Sequence, residues 1–212
     1  MPSFPTQETT FILPGPDGDL EVLATPAPTE TSRRPAVAVI CHPHPLFGGT
    51  MTNKVVTTLA RTFSDLGIHT VRFNFRGVGK STGKFAEGIG ETEDLFAVIR
   101  WTQENCPGDA LWLAGFSFGG FVAARAATQI PVAQLVTIAP QVSRFVEVKI
   151  PEITCPWVLV QGEEDEVIPP ADVFAWVETL QHKPVLIRMP GAGHFFHGRL
   201  MELRENLLKV LG

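Results

Sequence analysis

The sequence is short of the features that tie a chain to a disulfide scaffold, a membrane or nucleic acid. Its 212 residues contain only three cysteines, Cys41, Cys106 and Cys155. They are far apart, odd in number and without a C-x-x-C pair, so they offer neither a disulfide framework nor a thiolate zinc site and are expected to be buried thiols. No apolar run approaches the roughly 18 residues that a membrane helix needs. The opening MPSFPTQETTF lacks the basic start and apolar core of an export signal, and Arg33-Arg34 lies too deep in the chain to serve as one. The net charge of −5 is small and both signs are dispersed, which leaves no basic stripe to neutralise phosphates. No repeat or low-complexity segment occurs. These absences predict a soluble, cytoplasmic protein with neither nucleic acid nor membrane as partner, and they leave its oligomeric state open.

What is present is apolar material, 44% of the chain, enough for one substantial core, so residues 1–212 are expected to form one domain. Thr9–Leu13 and Leu20–Ala24 flank the Gly/Pro/Asp turn PGPDGD and read as a hairpin at a sheet edge. After the Pro-rich loop Pro26–Pro35 the pattern becomes an alternation. Strands are expected at Val37–Cys41, His69–Phe73, Leu111–Ala114, Leu135–Ile138, Trp157–Gln161 and Val185–Met189. Helices are expected at Asn53–Leu66, Glu91–Gln103, after Ser117, at Ala171–Leu180 and at Arg199–Leu211, with His197 near the start of the last. This order predicts an α/β protein with a mostly parallel sheet covered by helices on both faces, whose ligands bind at the carboxyl ends of the strands.

One such end carries LAGFSFGGFVAA. A strand that turns directly into a helix while presenting one side chain outward strains that residue and crowds its neighbours two positions away. Gly115-Phe116-Ser117-Phe118-Gly119 meets this requirement, and Ser117 would then lie at a helix N-terminus, where unpaired N–H groups favour a developing oxyanion. Glycines that merely permit close packing would also account for the pentapeptide, so partners are required.

A serine nucleophile needs a base, usually histidine, oriented by a carboxylate. Of six histidines, His69 opens a strand and His182 sits in a polar turn, both structural or solvated positions. His194, in PGAGHFFHG after the last strand, lies at a carboxyl end. The acids Glu163, Glu164, Asp165 and Glu166 of QGEEDEVIPP all follow the strand Trp157–Gln161, and position alone does not choose among them.

The order Ser117, acid loop, His194 is similar to that of the α/β-hydrolase superfamily. GFSFGG resembles its nucleophile elbow, GEEDEVIP its G-x-x-D-x-x-V/I-P acid loop and GAGH its histidine loop; NFRGVGKSTG resembles its R-G-x-G-x-S turn. The resemblance spans about residues 36 to 197 and implies Asp165 as the acid. CHPHPLFGGTM stands where such hydrolases carry His-Gly-x and donate an oxyanion N–H. Pro43 replaces the glycine, as in small lidless members that resemble dienelactone hydrolase. Proline has no N–H, so His44 is left as the donor beside Phe118, the residue after the nucleophile.

The resemblance therefore implies an α/β-hydrolase fold with an N-terminal antiparallel hairpin and no cap domain. It also implies a serine hydrolase of carboxyl esters or thioesters, with Ser117, His194 and Asp165 as triad and no cofactor. A non-catalytic binding protein of the same fold, or an acyltransferase or perhydrolase using the same triad, are the alternatives. Only 18 residues separate Ile138 from Trp157, too few for a multi-helix cover, which points to an open site and small soluble acyl substrates. Phe47, Met51 and Phe195 are candidates for the substrate pocket, and Lys80, Arg76 and Arg144 for drawing in an anionic substrate. Gly79-Lys80-Ser81 is not a phosphate-binding loop, because Asn74 stands where its first glycine is needed. His42 and His44 lack a third ligand for a metal.

Overall fold

In the structure, a computed structural model that describes residues 3–212, each strand of the sheet interior sorts its side chains between two cores. The strands are β1 (Thr9–Gly15), β2 (Gly18–Thr25), β3 (Ala36–Cys41), β4 (His69–Phe73), β5 (Ala110–Phe116), β6 (Gln134–Ile138), β7 (Trp157–Gly162) and β8 (Val185–Met189). The helices are α1 (Lys54–Asp65), α2 (Ile89–Asn105), α3 (Phe118–Ala127), α4 (Val142–Glu147), α5 (Pro170–Glu178) and α6 (Leu200–Leu211). They form one eight-stranded sheet in the order β1-β2-β4-β3-β5-β6-β7-β8. The β1–β2 hairpin is antiparallel and joins β4 antiparallel; every pairing from β4 to β8 is parallel.

In β3, Val37, Val39 and Cys41 join one core with α2, α3, α4 and α5, while Ala36, Ala38 and Ile40 join the other with α1 and α6. Strands β3 and β7 are buried along their whole length, which is why they read as unbroken apolar runs rather than alternating ones. Helix α1 begins where the Asn53 side chain accepts the Val55 N–H at 2.9 Å. Helix α2 begins where the Glu91 carboxylate accepts the Gly88 and Ala86 N–H groups at 2.7 and 2.8 Å. Among the described residues there is no separate cap domain, and no helix is long and apolar enough to cross a membrane.

The observed elements depart from expectation in particulars. Helix α4 falls between Ile138 and Trp157, a segment too short for a multi-helix cover and assigned no helix from the sequence; its six residues, VSRFVE, are too few to display a helical period. Helix α6 starts at Leu200, so His197 lies in the turn before it. Cys41 and Cys106 are buried, and burial pushes the Cys106 thiol up to about 12; Cys155 is only half-buried.

Candidate active site

The carboxyl end of β5 turns into α3 at Ser117, whose backbone adopts φ 54°, ψ −118°. A residue with a Cβ holds such torsions only when its surroundings impose them. The Ser117 N–H donates to the Ile138 carbonyl of β6 at 2.8 Å, and its own carbonyl accepts the Gly120 and Phe121 N–H groups, which starts the helix. A Cβ on Gly115 would overlap the Gly119 carbonyl, and one on Gly119 would overlap the His42 carbonyl, so neither helix nor strand could approach as closely with alanine. Gly120 faces Pro140, and a Cβ there would come within 3.3 Å of that ring; close packing accounts for it.

His194 follows β8, and its Nε2 lies 3.1 Å from Ser117 Oγ. Its Nδ1 lies 2.9 Å from Asp165 Oδ2, so Nδ1 carries the proton and Nε2 accepts from the serine hydroxyl. Asp165 Oδ1 accepts the Val167 and Ile168 N–H groups at 2.9 and 2.7 Å, and Oδ2 also accepts from Gln161 Nε2 at 2.9 Å. Burial opposes ionisation of Asp165. The hydrogen bonds from His194 and the Ile168 N–H, the His194 charge and the Val167 N–H outweigh it and hold the carboxyl below its ordinary value. The imidazole Nδ1 bonds none of the other acids of this loop: Glu163 pairs with Arg188 at 2.8 Å, Glu166 accepts the His194 backbone N–H at 3.0 Å, and the Glu164 side chain makes no hydrogen bond to His194 among the described residues.

After β3 the loop Pro43–Gly49 curls around its own carbonyls: the Phe47 and Gly49 N–H groups both donate to the His44 carbonyl at 3.1 Å. The buried His42 ring accepts the Phe75 N–H on Nε2 at 3.0 Å, so Nδ1 donates to the Pro43 carbonyl at 2.6 Å. Burial pushes this imidazole down to about 4, with the Pro43 bond opposing. Because a trans peptide sets its N–H opposite its C=O, anchoring the Pro43 carbonyl also aims the His44 N–H. Among the described residues neither the His44 nor the Phe118 N–H has a hydrogen-bond partner.

Ser117 and His194 open into a mainly apolar cleft of about 340 Å³ bounded by Pro43, Phe47, Val167 and Phe195. Phe47 and Phe195, expected at the pocket, line it and are 85% and 42% exposed. Met51, expected with them, does not line the cleft: it is buried, and its N–H donates to Asn74 Oδ1 at 2.8 Å. Arg76 is no anion trap either. It forms a buried pair with Asp94, Nη2 to Oδ1 at 2.7 Å, and braces the loop after β4. Arg144 lines a smaller neighbouring cavity, held by the Glu87 carbonyl and by Glu147. His42 is committed through both nitrogens to backbone groups and is unsuited to a metal. His69 and His182 bond to Ala27 and Glu152.

Two residues that touch this arrangement receive no part in it from the sequence: His42, weighed only as a metal ligand, and Gln161. Gln161 had a visible signal: it is a polar side chain closing the buried run WVLVQG, and a buried amide needs partners. Its Nε2 faces three acceptors, Asp165 Oδ2, the Gly162 carbonyl and the Ile168 carbonyl, while its buried Oε1 has no partner among the described residues.

Comparison with known proteins identifies the family. Residues 17–149 match the family described as X-Pro dipeptidyl-peptidase (S15 family). An α/β serine hydrolase homologue from Coxiella burnetii is 48% identical with a TM-score of 0.94, covering 99% of this chain and 100% of that one. A lidless α/β serine hydrolase from Xanthomonas campestris is 44% identical with a TM-score of 0.92, covering 99% and 95%. An uncharacterised protein of Rickettsia prowazekii is 33% identical over 210 residues, 90% of this chain and 83% of that protein. These likenesses support a general hydrolytic activity. The chain belongs to the α/β-hydrolase superfamily, matching its S15 family over residues 17–149, and is a lidless serine-hydrolase-like member of it.

Proposed function

We propose that the protein is a single-domain serine hydrolase of carboxyl esters or thioesters, acting through an acyl-enzyme on Ser117. The observation that carries this reading is the continuous chain Ser117 Oγ, His194, Asp165, with separations of 3.1 and 2.9 Å, ending on a serine whose backbone is held at φ 54°. His194 Nε2 takes the hydroxyl proton as Oγ attacks the carbonyl carbon. Asp165, kept ionised by its donors, fixes the imidazole tautomer and stabilises its cation. The unpaired His44 and Phe118 N–H groups receive the oxyanion, and donors already in place do not reorganise as charge develops. His194 then protonates the leaving alkoxide or thiolate, and water attacks the acyl-enzyme with His194 again as base. No step calls for a cofactor.

A fluorophosphonate probe tests the nucleophile. Labelling of the native protein and its loss in Ser117→Ala are expected; a folded native protein that resists labelling sinks the proposal in favour of a binding role. The S15 match favours a second reading, cleavage of an X-Pro peptide bond by the same serine. Its residues 17–149 include Ser117 but neither Asp165 nor His194, so the ester reading is preferred. Turnover of X-Pro anilides with no turnover of simple esters would reverse that order.

A further inference from the structure

Besides the small cavity beside Arg144, two larger cavities open at the carboxyl end of the sheet and share Val167. The first is the 340 Å³ cleft that contains Ser117 and His194. The second, about 440 Å³, lies between the loop after β6 with α4 and the acid loop; its apolar wall is Val142, Val146, Ile168, Pro169 and Trp176, and Gln141, Ser143 and Asp172 also line it. Val167 lines both. Its N–H is tied to Asp165, which anchors its backbone beside the triad, and the residue is 51% exposed. Val146, across the second cavity, is 62% exposed. A trough of this size, mainly apolar and separated from the Ser117 cleft only by the shared Val167, has the character of a ligand subsite rather than of ordinary surface.

We propose that this second cavity is the acyl subsite and takes an extended apolar acyl chain of medium length, which crosses Val167 from the scissile carbonyl. The inference rests on the ester- or thioester-hydrolase reading. The assignment of sides follows from the proton. The leaving oxygen or sulfur must reach His194 Nε2, and His194 lines the first cavity but not the second. The alcohol or thiol portion therefore occupies the cleft with Phe47 and Phe195. Of the two cavities that remain, the smaller one beside His44 and Phe118 presents Arg144 and Glu87, so an apolar chain on the other side of the carbonyl is left the cavity beside α4. Small acyl groups would fit the open site as well, but they would leave this apolar wall in water.

Kinetics on p-nitrophenyl acetate, butyrate, hexanoate and octanoate test the proposal, with fluorophosphonate labelling run in parallel. If each added methylene leaves water for the trough, kcat/KM rises about fourfold per methylene until the cavity is full. Ser143→Trp, which fills the trough from the exposed side of α4, and Val146→Asp, which charges its wall, each lower the octanoate-to-acetate ratio of kcat/KM by tenfold or more. A flat acyl series in the native protein, or a ratio unchanged in both variants, overturns the acyl subsite. So does a ratio that responds in a series of acetate esters of lengthening alcohols and not in the acyl series. Absence of both labelling and acetate turnover in the native protein overturns instead the hydrolase reading beneath it.

Discussion

Asp165 is distinguished from three acidic neighbours by the number of donors converging on it, and this makes its role separable by mutation. Asp165→Asn keeps the shape but removes the charge that fixes the His194 tautomer, and kcat should fall by about 10³–10⁴-fold. Glu163→Gln, which touches Arg188 at the surface, should leave kcat within about twofold, because an exposed ion pair contributes ~1 kcal/mol or less. Equal losses in steady-state assays would show that the acid has been misassigned. Gln161 presents a finer case. Its amide donates to the same Asp165 oxygen that receives His194, while its own Oε1 goes without a partner. A buried unpaired oxygen costs about 1–3 kcal/mol, and a hydrogen bond to a charged group contributes about the same. Gln161→Met therefore trades one for the other. Its melting temperature should stay close to native while kcat/KM falls about tenfold; a variant that loses stability and activity in step would mark Gln161 as a core residue only.

Elements follow from the sequence to the extent that their burial is uniform. β3 and β7 are buried on both faces and are legible as unbroken apolar runs, and α1 shows its period through Val56, Leu59 and Phe63. Helix α4 was not legible because six residues make fewer than two turns, and the trough it helps to wall was therefore invisible as well. The glycines of the elbow were legible because their reason is local. Their partners are less so: Gly119 lies against the backbone after β3, a contact between segments more than 70 residues apart. Met51 illustrates the opposite failure: it adjoins the site in sequence, but it is buried outside the cleft, with its N–H on Asn74. Gly115→Ala places a methyl against the first turn of α3 and should destabilise the protein by about 1–3 kcal/mol or more in urea unfolding. It should also lower probe labelling of Ser117, because the helix and the serine move together; an unchanged unfolding midpoint would show that the contact relaxes freely.

Across the whole molecule, two buried groups bind the fold to neutral pH with the same sign. The folded protein keeps His42 neutral down to about 4, whereas the unfolded chain protonates it near the ordinary imidazole value of about 6.5. Between those limits the unfolded state holds the extra proton, so stability rises with pH, by up to about 3 kcal/mol in all. Below about 4 the folded ring protonates too and the loss stops growing. Asp165, held below its ordinary value, adds stability that is present above the unfolded carboxyl range and lost as pH falls through its folded value. Urea unfolding from pH 7 to pH 5 should therefore show a falling free energy. His42→Gln, whose amide can donate and accept but does not titrate, should be less stable at pH 7 yet show a shallower slope. An equal slope in both proteins would assign the acid sensitivity elsewhere.

The position of His194 has one more consequence. Ser117 and both candidate oxyanion donors hang from β3 and β5 in the middle of the sheet, whereas His194 follows β8, an edge strand that pairs only with β7 and is only partly buried, where β3 is buried throughout. Edge elements open at lower free energy than the body of a fold. Fraying there carries the imidazole away from a serine that remains in place. Under mild heat or denaturant, inactivation should accordingly run ahead of global melting and reverse on cooling, with backbone amides of β8 exchanging with deuterium well before those of β3 and β5.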